Sequence, residues 1–228
     1  MTQHFLNELD RLKDCLLMMA SRAESAAKTA TRAVVERDDE LAKQVEATDH
    51  EIDQLELEID ELAIQLLAKA PLARDLRLIT VAMKICTDLE RVGDEATTIA
   101  RRARELSYEP QLKEFVDIPR MVGKAMAMMD QALKAFVNED ADSARAVIPQ
   151  DKAVDALNRQ LHSELTDHMV KDPKSITRCL NLMVISKSIE RIADHAKNIG
   201  EVVVYLCEAT DIRHNTARNS EQTHIQNP

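Results

Sequence analysis

Apolar side chains recur along this chain at intervals of three and four residues, which is the spacing of one face of an α-helix. The clearest stretch is a seam in which a threonine fills one apolar slot: Leu41, Val45, Thr48, Ile52, Leu55, Ile59, Leu62 and Leu66. Such a heptad pattern favours a long helix packed against other helices. The preceding segment, from Phe5 to Glu36, is Ala-rich in its middle, and we expect it to form a helix that neighbouring backbones can approach closely.

Six long helices follow from this periodicity and from residues typical of helix ends. Asp38 and Asp39 supply an N-cap for the second helix, and Pro71 and Pro173 each open a helix. The predicted ranges are about 5–36, 39–70, 71–106, 119–137, 140–170 and 173–208. Residues 107–118, with Pro110 inside the segment, are predicted to link two units.

The second half of the chain repeats the first at a nearly fixed offset. Four positions differ by 102: Asp38 and Asp140, Asp49 and Asp151, Asp53 and Asp155, Pro71 and Pro173. Four more differ by 100: Met83 and Met183, Glu90 and Glu190, Arg91 and Arg191, Asp94 and Asp194. An internal duplication explains both series. We therefore predict an all-α fold of two repeated three-helix bundles, residues 1–107 and 119–208, related by a pseudo-twofold axis and followed by a polar, disordered tail over 209–228.

Composition supports the helical prediction and narrows the function. The 228 residues are 45% hydrophobic but only 2% aromatic, and three glycines and six prolines leave little material for sheet and turns. The net charge of −10 argues against a nucleic-acid binder. The basic cluster of Arg101, Arg102 and Arg104 is interpreted as complementing the C-terminal dipole of the third helix.

The cysteines and the lack of long apolar runs indicate a reducing compartment. Cys15, Cys86, Cys179 and Cys207 form no CxxC motif and each has apolar helical neighbours, so we expect buried, reduced thiols. No stretch resembles a signal peptide, and no apolar run reaches the length needed to span a bilayer. A cytoplasmic protein is therefore expected.

The candidate chemistry lies in four pairs of acids at four-residue spacing: Asp49 and Asp53, Glu90 and Asp94, Asp151 and Asp155, Glu190 and Asp194. On a helix, each pair aims two carboxylates in one direction, about 6 Å apart along the axis. One pair alone has little value, because several would arise by chance among 40 acids. Two pairs on facing helices, repeated in both halves, predict one cation site in each half.

The repeat provides an internal control for the second helix. There the aspartates belong to an acidic stripe that a solvated face would also show: Glu46, Asp49, Asp53, Glu56 and Asp60. The counterparts in the copy are Ile148, Asp151, Asp155, Asn158 and His162. Only the DxxxD pair stays acidic in both halves, which favours a functional role for that pair.

Glu90 and Glu190 interrupt apolar rows. The row before Glu90 consists of Leu72, Leu76, Ile79, Met83 and Cys86, and the one before Glu190 contains Cys179, Met183 and Ser186. A carboxylate on a packed face is costly unless it is paired or metal-bound. One interpretation is therefore an internal salt bridge to Arg91, Arg191 or a lysine on a neighbouring helix. The other is metal ligation, with small Gly93 and Ala193 one turn further on.

All-oxygen ligation suits Mg²⁺, Mn²⁺, Ca²⁺ or Fe³⁺, and carboxylates can also hold zinc. The sequence does not choose among these ions. Asn158, His162 and Asn198 are possible auxiliary ligands. His50 and His195 each follow or neighbour a motif acid but point about 100° away around the helix, which indicates supporting or surface roles.

Three runs resemble the PhoU family: PLARDLR over 71–77, DLERVGDEA over 88–96 and IERIADHAKNIGE over 189–201. The likeness covers about residues 5–208. It implies a cytoplasmic accessory protein, not an enzyme, that links a high-affinity phosphate ABC transporter to a sensor histidine kinase and represses the phosphate-starvation response. The second half departs from the family pattern after its proline, reading PKSITRCLN. A role of Asp75 or Arg77 is therefore not expected in both halves.

The resemblance also implies the metal ligands and partners. The family's metal-binding acids match the eight acids of the four pairs, and the family has been associated with iron, zinc, or magnesium and manganese. Contacts with the transporter's ATPase subunit and with the kinase are expected, so the protein would reach the membrane only through partners, and a homodimer is plausible. How phosphate status reaches the protein is left open, since no phosphate cradle is visible.

Two other functions stay open at this point. A ferritin-like di-metal oxidase would need Glu-x-x-His pairs on core helices, and the only ExxH here, Glu221 to His224, lies in the polar tail. A helical scaffold without functional metal would leave the acids solvated or salt-bridged.

Overall fold

The chain folds entirely into helices over the ranges that the computed structural model describes, which are residues 3–69, 72–112 and 117–212. The helices are α1 (Gln3–Glu36), α2 (Asp39–Leu67), α3 (Ala73–Ser107), α4 (Asp117–Asn138), α5 (Ala141–Val147), α6 (Asp151–Lys171) and α7 (Ile176–Glu208). Short 3₁₀ turns at Ile148–Gln150 and Pro173–Ser175 precede α6 and α7. Each helix of these ranges is too short or too polar to cross a lipid bilayer.

Two bundles account for the architecture. Helices α1, α2 and α3 pack on one another, and α7 packs on α4, α5 and α6 in the second half. The two bundles meet mainly where α3 packs along α7, the equivalent helices of the repeat. The predicted all-α fold with a pseudo-twofold repeat is confirmed.

The fifth predicted helix is wrong in one respect. The range 140–170 was expected to be continuous, but it divides into α5 and α6 at the turn Ile148–Gln150. Pro149 explains the break, since proline has no N–H and its ring clashes with the preceding helical turn. The break places Asp151 at the first position of α6.

Aspartate caps begin equivalent helices in the two halves. The Asp38 carboxylate accepts hydrogen bonds from the backbone N–H groups of Glu40 and Leu41, at 2.8 and 3.2 Å. Asp140 accepts one from the Ser143 N–H at 3.0 Å, in the same relation to α5. Asp39 is the first helical residue of α2 rather than its cap. Pro71 lies outside the described ranges.

The predicted apolar seam of α2 faces the core. Val45, Ile52, Ile59, Leu62 and Leu66 are buried, and the three other seam residues are half-buried. On α1 the alanines at 23, 27, 30 and 33 are buried as well, so that small side chains let the neighbouring helices approach.

Polar contacts tie helices together on the surface of the core. The Arg104 guanidinium donates to Asp39 at 2.9 Å and to Glu46 at 3.1 Å, so it links α3 to α2 in addition to lying in the last turn of α3. Glu46 is therefore paired with a base on α3. The first member of the acidic stripe thus has a structural partner.

Three of the four thiols match the prediction, since Cys15, Cys86 and Cys179 are buried and free. Burial, followed by the negative charge of Glu56, raises the pKa of Cys86 to about 12. Cys207 is only half-buried, because it lies in the last turn of α7.

Two glycines provide a matched pair of stability predictions. A Cβ at exposed Gly123 would meet no atom within 4 Å, whereas one at Gly200 would lie 3.0 Å from the Ala144 carbonyl oxygen. We expect Gly123→Ala to raise the free energy of unfolding by about 0.5–1 kcal/mol through helix propensity. Gly200→Ala should lower it, because a backbone carbonyl cannot move aside easily. Urea denaturation followed by circular dichroism measures both, and a gain at Gly200 would contradict the close approach of α5 to α7.

Candidate metal centre

The acids of the first half lie on two packed helices, as predicted. Asp49 and Asp53 belong to α2, and Glu90 and Asp94 belong to α3. The contact is close at Gly93, where an added Cβ would lie 2.8 Å from Ile52 Cδ1 and 3.8 Å from Asp49 Oδ1. The small residue therefore brings Asp49 against α3.

Glu90 is the more buried acid of the ExxxD pair on α3. Its side chain is 21% exposed, whereas that of Asp94 is 53% exposed. Burial raises the pKa of Glu90, and the negative charges of Asp94 and Glu56 raise it further, against the opposing charge of Arg91. Ionised Glu90 is thus held in an unfavourable place, as the interrupted apolar row suggested.

Part of the apolar row before Glu90 is more exposed to solvent than predicted. Ile79 and Cys86 are buried, but Leu72 and Leu76 are 56% and 41% exposed. The expectation that all five residues face the core is wrong at these two positions, because the start of α3 buries Asp75 and Leu78 instead and Leu72 is the N-cap of the helix.

Glu56 is a member of this cluster that the comparison of halves had set aside. Burial raises its pKa, followed by the charges of Asp60, Asp53 and Asp94. Glu56 therefore connects the DxxxD pair of α2 with the ExxxD pair of α3. A signal for it was present, since its counterpart at an offset of 102 is Asn158, already an auxiliary candidate.

Arg91 provides the salt bridge that was the alternative interpretation of this pair. Its Nε lies 3.4 Å from a Glu90 oxygen, and its Nη1 lies 3.7 Å from an Asp94 oxygen. The guanidinium is exposed, so these contacts are weak and screened. They compensate the acids only in part, as the raised pKa of Glu90 indicates.

The second half repeats the arrangement on α6 and α7. Burial raises the pKa of Asp194, and the charges of Glu190 and Asp155 raise it further, while Lys197 and Lys187 oppose the rise. Asp155 of α6 therefore shares one electrostatic environment with both acids of α7. Three of the four predicted ligands therefore influence one another electrostatically here.

Asp151, the fourth, has a different partner. It is 6% exposed, and the Lys197 ammonium donates to it at 2.5 Å. This bond is the main cause that raises the pKa of Lys197. Asp155 forms a longer ion pair with Arg159, at 3.9 Å, on its own helix.

Glu190 keeps one oxygen without a hydrogen bond. Its side chain is 14% exposed, and Oε2 is buried without a hydrogen-bond partner in the described ranges. Lys187 forms an ion pair with the same oxygen. The Lys187 ammonium is close enough for an ion pair, but the contact lacks the angles that a hydrogen bond requires. Glu190 thus has acceptor capacity for a cation.

The three auxiliary candidates have distinct positions. Asn158 is buried on α6, and its Oδ1 accepts no hydrogen bond from the described residues. His162 is half-buried and lies 3.2 Å from the Ser186 hydroxyl of α7. Asn198 donates to Asp88 of the first half at 3.3 Å. Asn158 is therefore the best placed of the three to complete a ligand set, and the ligand roles of all three stay predictions.

The histidines neighbouring the motifs are supporting groups. His50 is exposed and contacts the Ala47 carbonyl oxygen on its own helix. His195 lies 2.8 Å from an Asp88 oxygen and joins α7 to α3. Nearby, Arg191 donates to Glu95 at 3.0 Å and so fastens the same seam. Arg191 is thus not the partner of Glu190.

The donor set fits a hard cation, although the site is not assembled. In the described ranges, no three histidine, cysteine, aspartate or glutamate side chains stand close enough to hold a metal ion. The acids instead share Arg91, Lys187 and Lys197. A bound cation would stabilise the carboxylates with raised pKa. It would also satisfy the buried oxygens of Glu190 and Asn158 that lack a hydrogen bond. The eight predicted ligands therefore stay a prediction that the residues present support.

Comparisons with known proteins agree with both the fold and the repeat. A family model described as the PhoU domain matches residues 16–103 and again residues 118–203. The phosphate-specific transport system accessory protein PhoU homolog of Pseudomonas aeruginosa is 40% identical over 215 residues, which is 93% of this chain and 89% of that protein.

Two solved structures have the same fold. The crystal structure of PhoU from Pseudomonas aeruginosa superposes with a TM-score of 0.87 at 40% identity, covering 90% of this chain and 100% of that one. The phosphate transport system regulatory protein PhoU from Streptococcus pneumoniae gives a TM-score of 0.85 at 31% identity, covering 91% and 99%.

Proposed function

Because the chain belongs to the PhoU family, we propose that it is an accessory protein of a phosphate transport system that represses the phosphate-starvation response when phosphate is plentiful. It would modulate the phosphate ABC transporter through the ATPase subunit and restrain a sensor histidine kinase. Its role is regulatory and not enzymatic in this proposal. A cytoplasmic location, with the membrane reached only through these partners, completes it.

One observation carries the proposal. The family model matches both halves of the chain, and each half places its DxxxD and ExxxD acids on a packed pair of helices. Fold likeness alone would be a weak argument, since one fold hosts many functions. The duplicated acids, read together with names that relatives of about 40% identity carry, support the more specific function.

The metal belongs to the same proposal. The first site would use Asp49, Asp53, Glu90 and Asp94, joined by Glu56, and the second would use Asp151, Asp155, Glu190 and Asp194 with Asn158. A divalent or trivalent ion such as Mg²⁺, Mn²⁺, Fe³⁺ or Zn²⁺ would supply positive charge that offsets the mutual repulsion of these carboxylates. A homodimer formed through exposed apolar helix faces is also proposed.

Deletion of the gene tests the regulatory proposal. Cells without the protein are expected to express phosphate-starvation genes constitutively in excess phosphate, because the kinase is no longer restrained. A reporter fused to a starvation promoter measures this, with a plasmid copy of the gene as the control that restores repression. Normal repression in the deletion strain would refute the regulatory function.

A helical scaffold without functional metal is the second candidate. The observation that favours it is the set of basic side chains among the acids, above all the 2.5 Å contact between Lys197 and Asp151. Elemental analysis of protein purified without chelator separates the two candidates, since the scaffold would contain no stoichiometric metal. The ferritin-like alternative relied on Glu221 and His224, which lie outside the described residues.

A further inference from the structure

A pocket of about 440 Å³ lies away from the acid clusters, where the start of α1 meets the start of α3 and the turn after α4. Its walls include Leu6 and Leu9 from α1 and Leu72 and Leu78 from the beginning of α3. The volume falls in the range of pockets that enclose a side chain or a small ligand.

One carboxylate in this pocket is buried and has an oxygen without a hydrogen bond in the described ranges. Asp75 is 7% exposed, and its Oδ2 accepts no hydrogen bond from the described residues. Its position in the first turn of α3 is favourable to a negative charge through the helix dipole, but the dipole does not satisfy a lone pair. A buried carboxylate oxygen without a donor is costly unless some ligand supplies one.

The other charges of the pocket do not supply that donor. Arg74, next in sequence to Asp75, pairs with Glu139 across the two halves. Lys13 and Asp10 also line the pocket, and neither forms an ion pair within the described ranges. The pocket is therefore lined by three acidic and two basic residues: Asp10, Asp75, Glu139, Lys13 and Arg74. Asp75 is the most buried of the three acids.

Exposed leucines form part of the rim of the pocket, beside the exposed polar residues Gln3, Asp10 and Arg74. Leu72 is 56% exposed and Leu6 is 38% exposed, and Leu76, one turn beyond Leu72 on α3, is 41% exposed. Exposed leucines around a buried polar centre are typical of pockets that receive one anchoring side chain of a partner, because the rim excludes water from the polar contact.

We propose that this pocket, formed by Leu6, Leu9, Leu72, Asp75 and Leu78, binds an arginine side chain of a protein of the phosphate transport system. This rests on the proposed function. An arginine has the two features that the pocket demands, since its apolar stem packs on leucines and its guanidinium donates to a carboxylate in a fixed fork. A lysine would supply a single strongly hydrated charge and a poorer match to the carboxylate.

The repeat makes the pocket specific to one half. At an offset of 102 the counterparts of Leu72 and Asp75 are Lys174 and Thr177, so the second half has neither the rim leucine nor the acid. The departure from PLARDLR to PKSITRCLN thus coincides with the loss of the docking chemistry. The partner is expected to bind one end of the chain and not its pseudosymmetric equivalent.

The first test uses a small probe on the full chain. N-acetylarginine amide, added at millimolar concentrations, is expected to shift the methyl NMR signals of Leu72 and Leu6, while the uncharged N-acetylcitrulline amide should not. Asp75→Asn should weaken the arginine probe at least fivefold, whereas Asp167→Asn, at an exposed site on α6, should not. Equal responses to both probes, or an unchanged affinity in Asp75→Asn, would overturn the proposal.

The second test uses the transport complex solubilised in detergent. Wild-type chain is expected to bind it at least tenfold more tightly than Asp75→Asn, and Leu72→Ala should also weaken binding. Equal binding of wild type and Asp75→Asn would overturn the docking role. If wild type does not bind the complex, the proposed function fails, and the arginine probe still decides the chemistry of the pocket.

A stability measurement separates docking from a structural role. Because asparagine removes an unpaired buried charge, Asp75→Asn should melt at the same temperature as wild type or higher. A lower melting temperature would mean that Asp75 stabilises the folded chain, which would contradict a role of Asp75 in binding a partner.

A photo-crosslinker at position 72 should capture a partner segment containing arginine, and capture of a second copy of this chain would overturn the assignment.

Discussion

Addition of Mn²⁺ to metal-free protein is expected to raise its free energy of unfolding by about 2.7 kcal/mol for each occupied site, and so by about 5 kcal/mol for two sites, when the free ion is a hundredfold above its dissociation constant. The physical reason is electrostatic. Glu90 and Asp194 carry raised pKa values because burial and neighbouring carboxylates disfavour their charge, and a cation removes that penalty only in the folded state. Urea denaturation after chelator treatment, with and without Mn²⁺, measures the gain.

The control for this prediction removes the same number of negative charges at positions outside the candidate sites. Glu90→Gln with Glu190→Gln should abolish most of the gain, since each site loses the glutamate of its ExxxD pair. Asp14→Asn with Asp167→Asn removes two charges at exposed positions of α1 and α6, and should leave the gain unchanged. Equal gains in both double variants would place the ion elsewhere on the acidic surface.

Lys197→Met is expected to destabilise the metal-free protein by about 1–3 kcal/mol, because it leaves buried Asp151 without its 2.5 Å partner. The value is set below that of a fully buried pair because the Lys197 side chain is 30% exposed. Added Mn²⁺ should recover part of the loss, since a cation would then occupy the place of the ammonium. Thermal or urea unfolding with and without the ion gives both numbers.

Two variants make the Lys197 result interpretable. Lys152→Met removes an exposed lysine from α6 that forms no ion pair in the described part of the chain, and it should change stability by less than about 0.5 kcal/mol. Lys197→Met combined with Asp151→Asn should recover most of the lost stability, because no charge is then left unpaired. A full loss in the combined variant would show that packing, not charge, explains the effect.

Features that depend on local periodicity were predictable from the sequence. The α2 seam faces the core, Asp38 and Asp140 cap equivalent helices, and the repeat at an offset near 100 corresponds to two bundles. Such features need only the geometry of a single helix, its end groups and the comparison of two similar segments. Family motifs added the family assignment, which spacing alone could not indicate.

Features that depend on how helices meet were not predictable. Leu72 and Leu76 belong to the predicted apolar row of α3, but the structure buries Asp75 and Leu78 at the start of that helix. Glu56 was grouped with a solvated stripe, although burial and the charges of neighbouring acids, including Asp94 of α3, raise its pKa. Both outcomes depend on which faces of neighbouring helices meet, which a periodic pattern does not contain.

The candidate site shows the same limit. The sequence selected the correct pairs of helices, since α2 packs on α3 and α6 packs on α7. It could not decide whether the acids bind a metal or pair with bases, because Arg91, Lys187 and Lys197 lie on the same helices as the acids. That choice depends on side-chain distances of a few ångströms and on the ions available to the protein.

Anomalous scattering from crystals soaked in Mn²⁺ tests the central claim most directly, because it locates the ion without assuming any ligand. We expect two peaks per chain. One should lie between α2 and α3 within bonding distance of Glu90, and the other between α6 and α7 within bonding distance of Glu190. Peaks at other positions, or none at either pair of helices while Lys197 still holds Asp151, would contradict a metal-binding regulator and favour the salt-bridged scaffold.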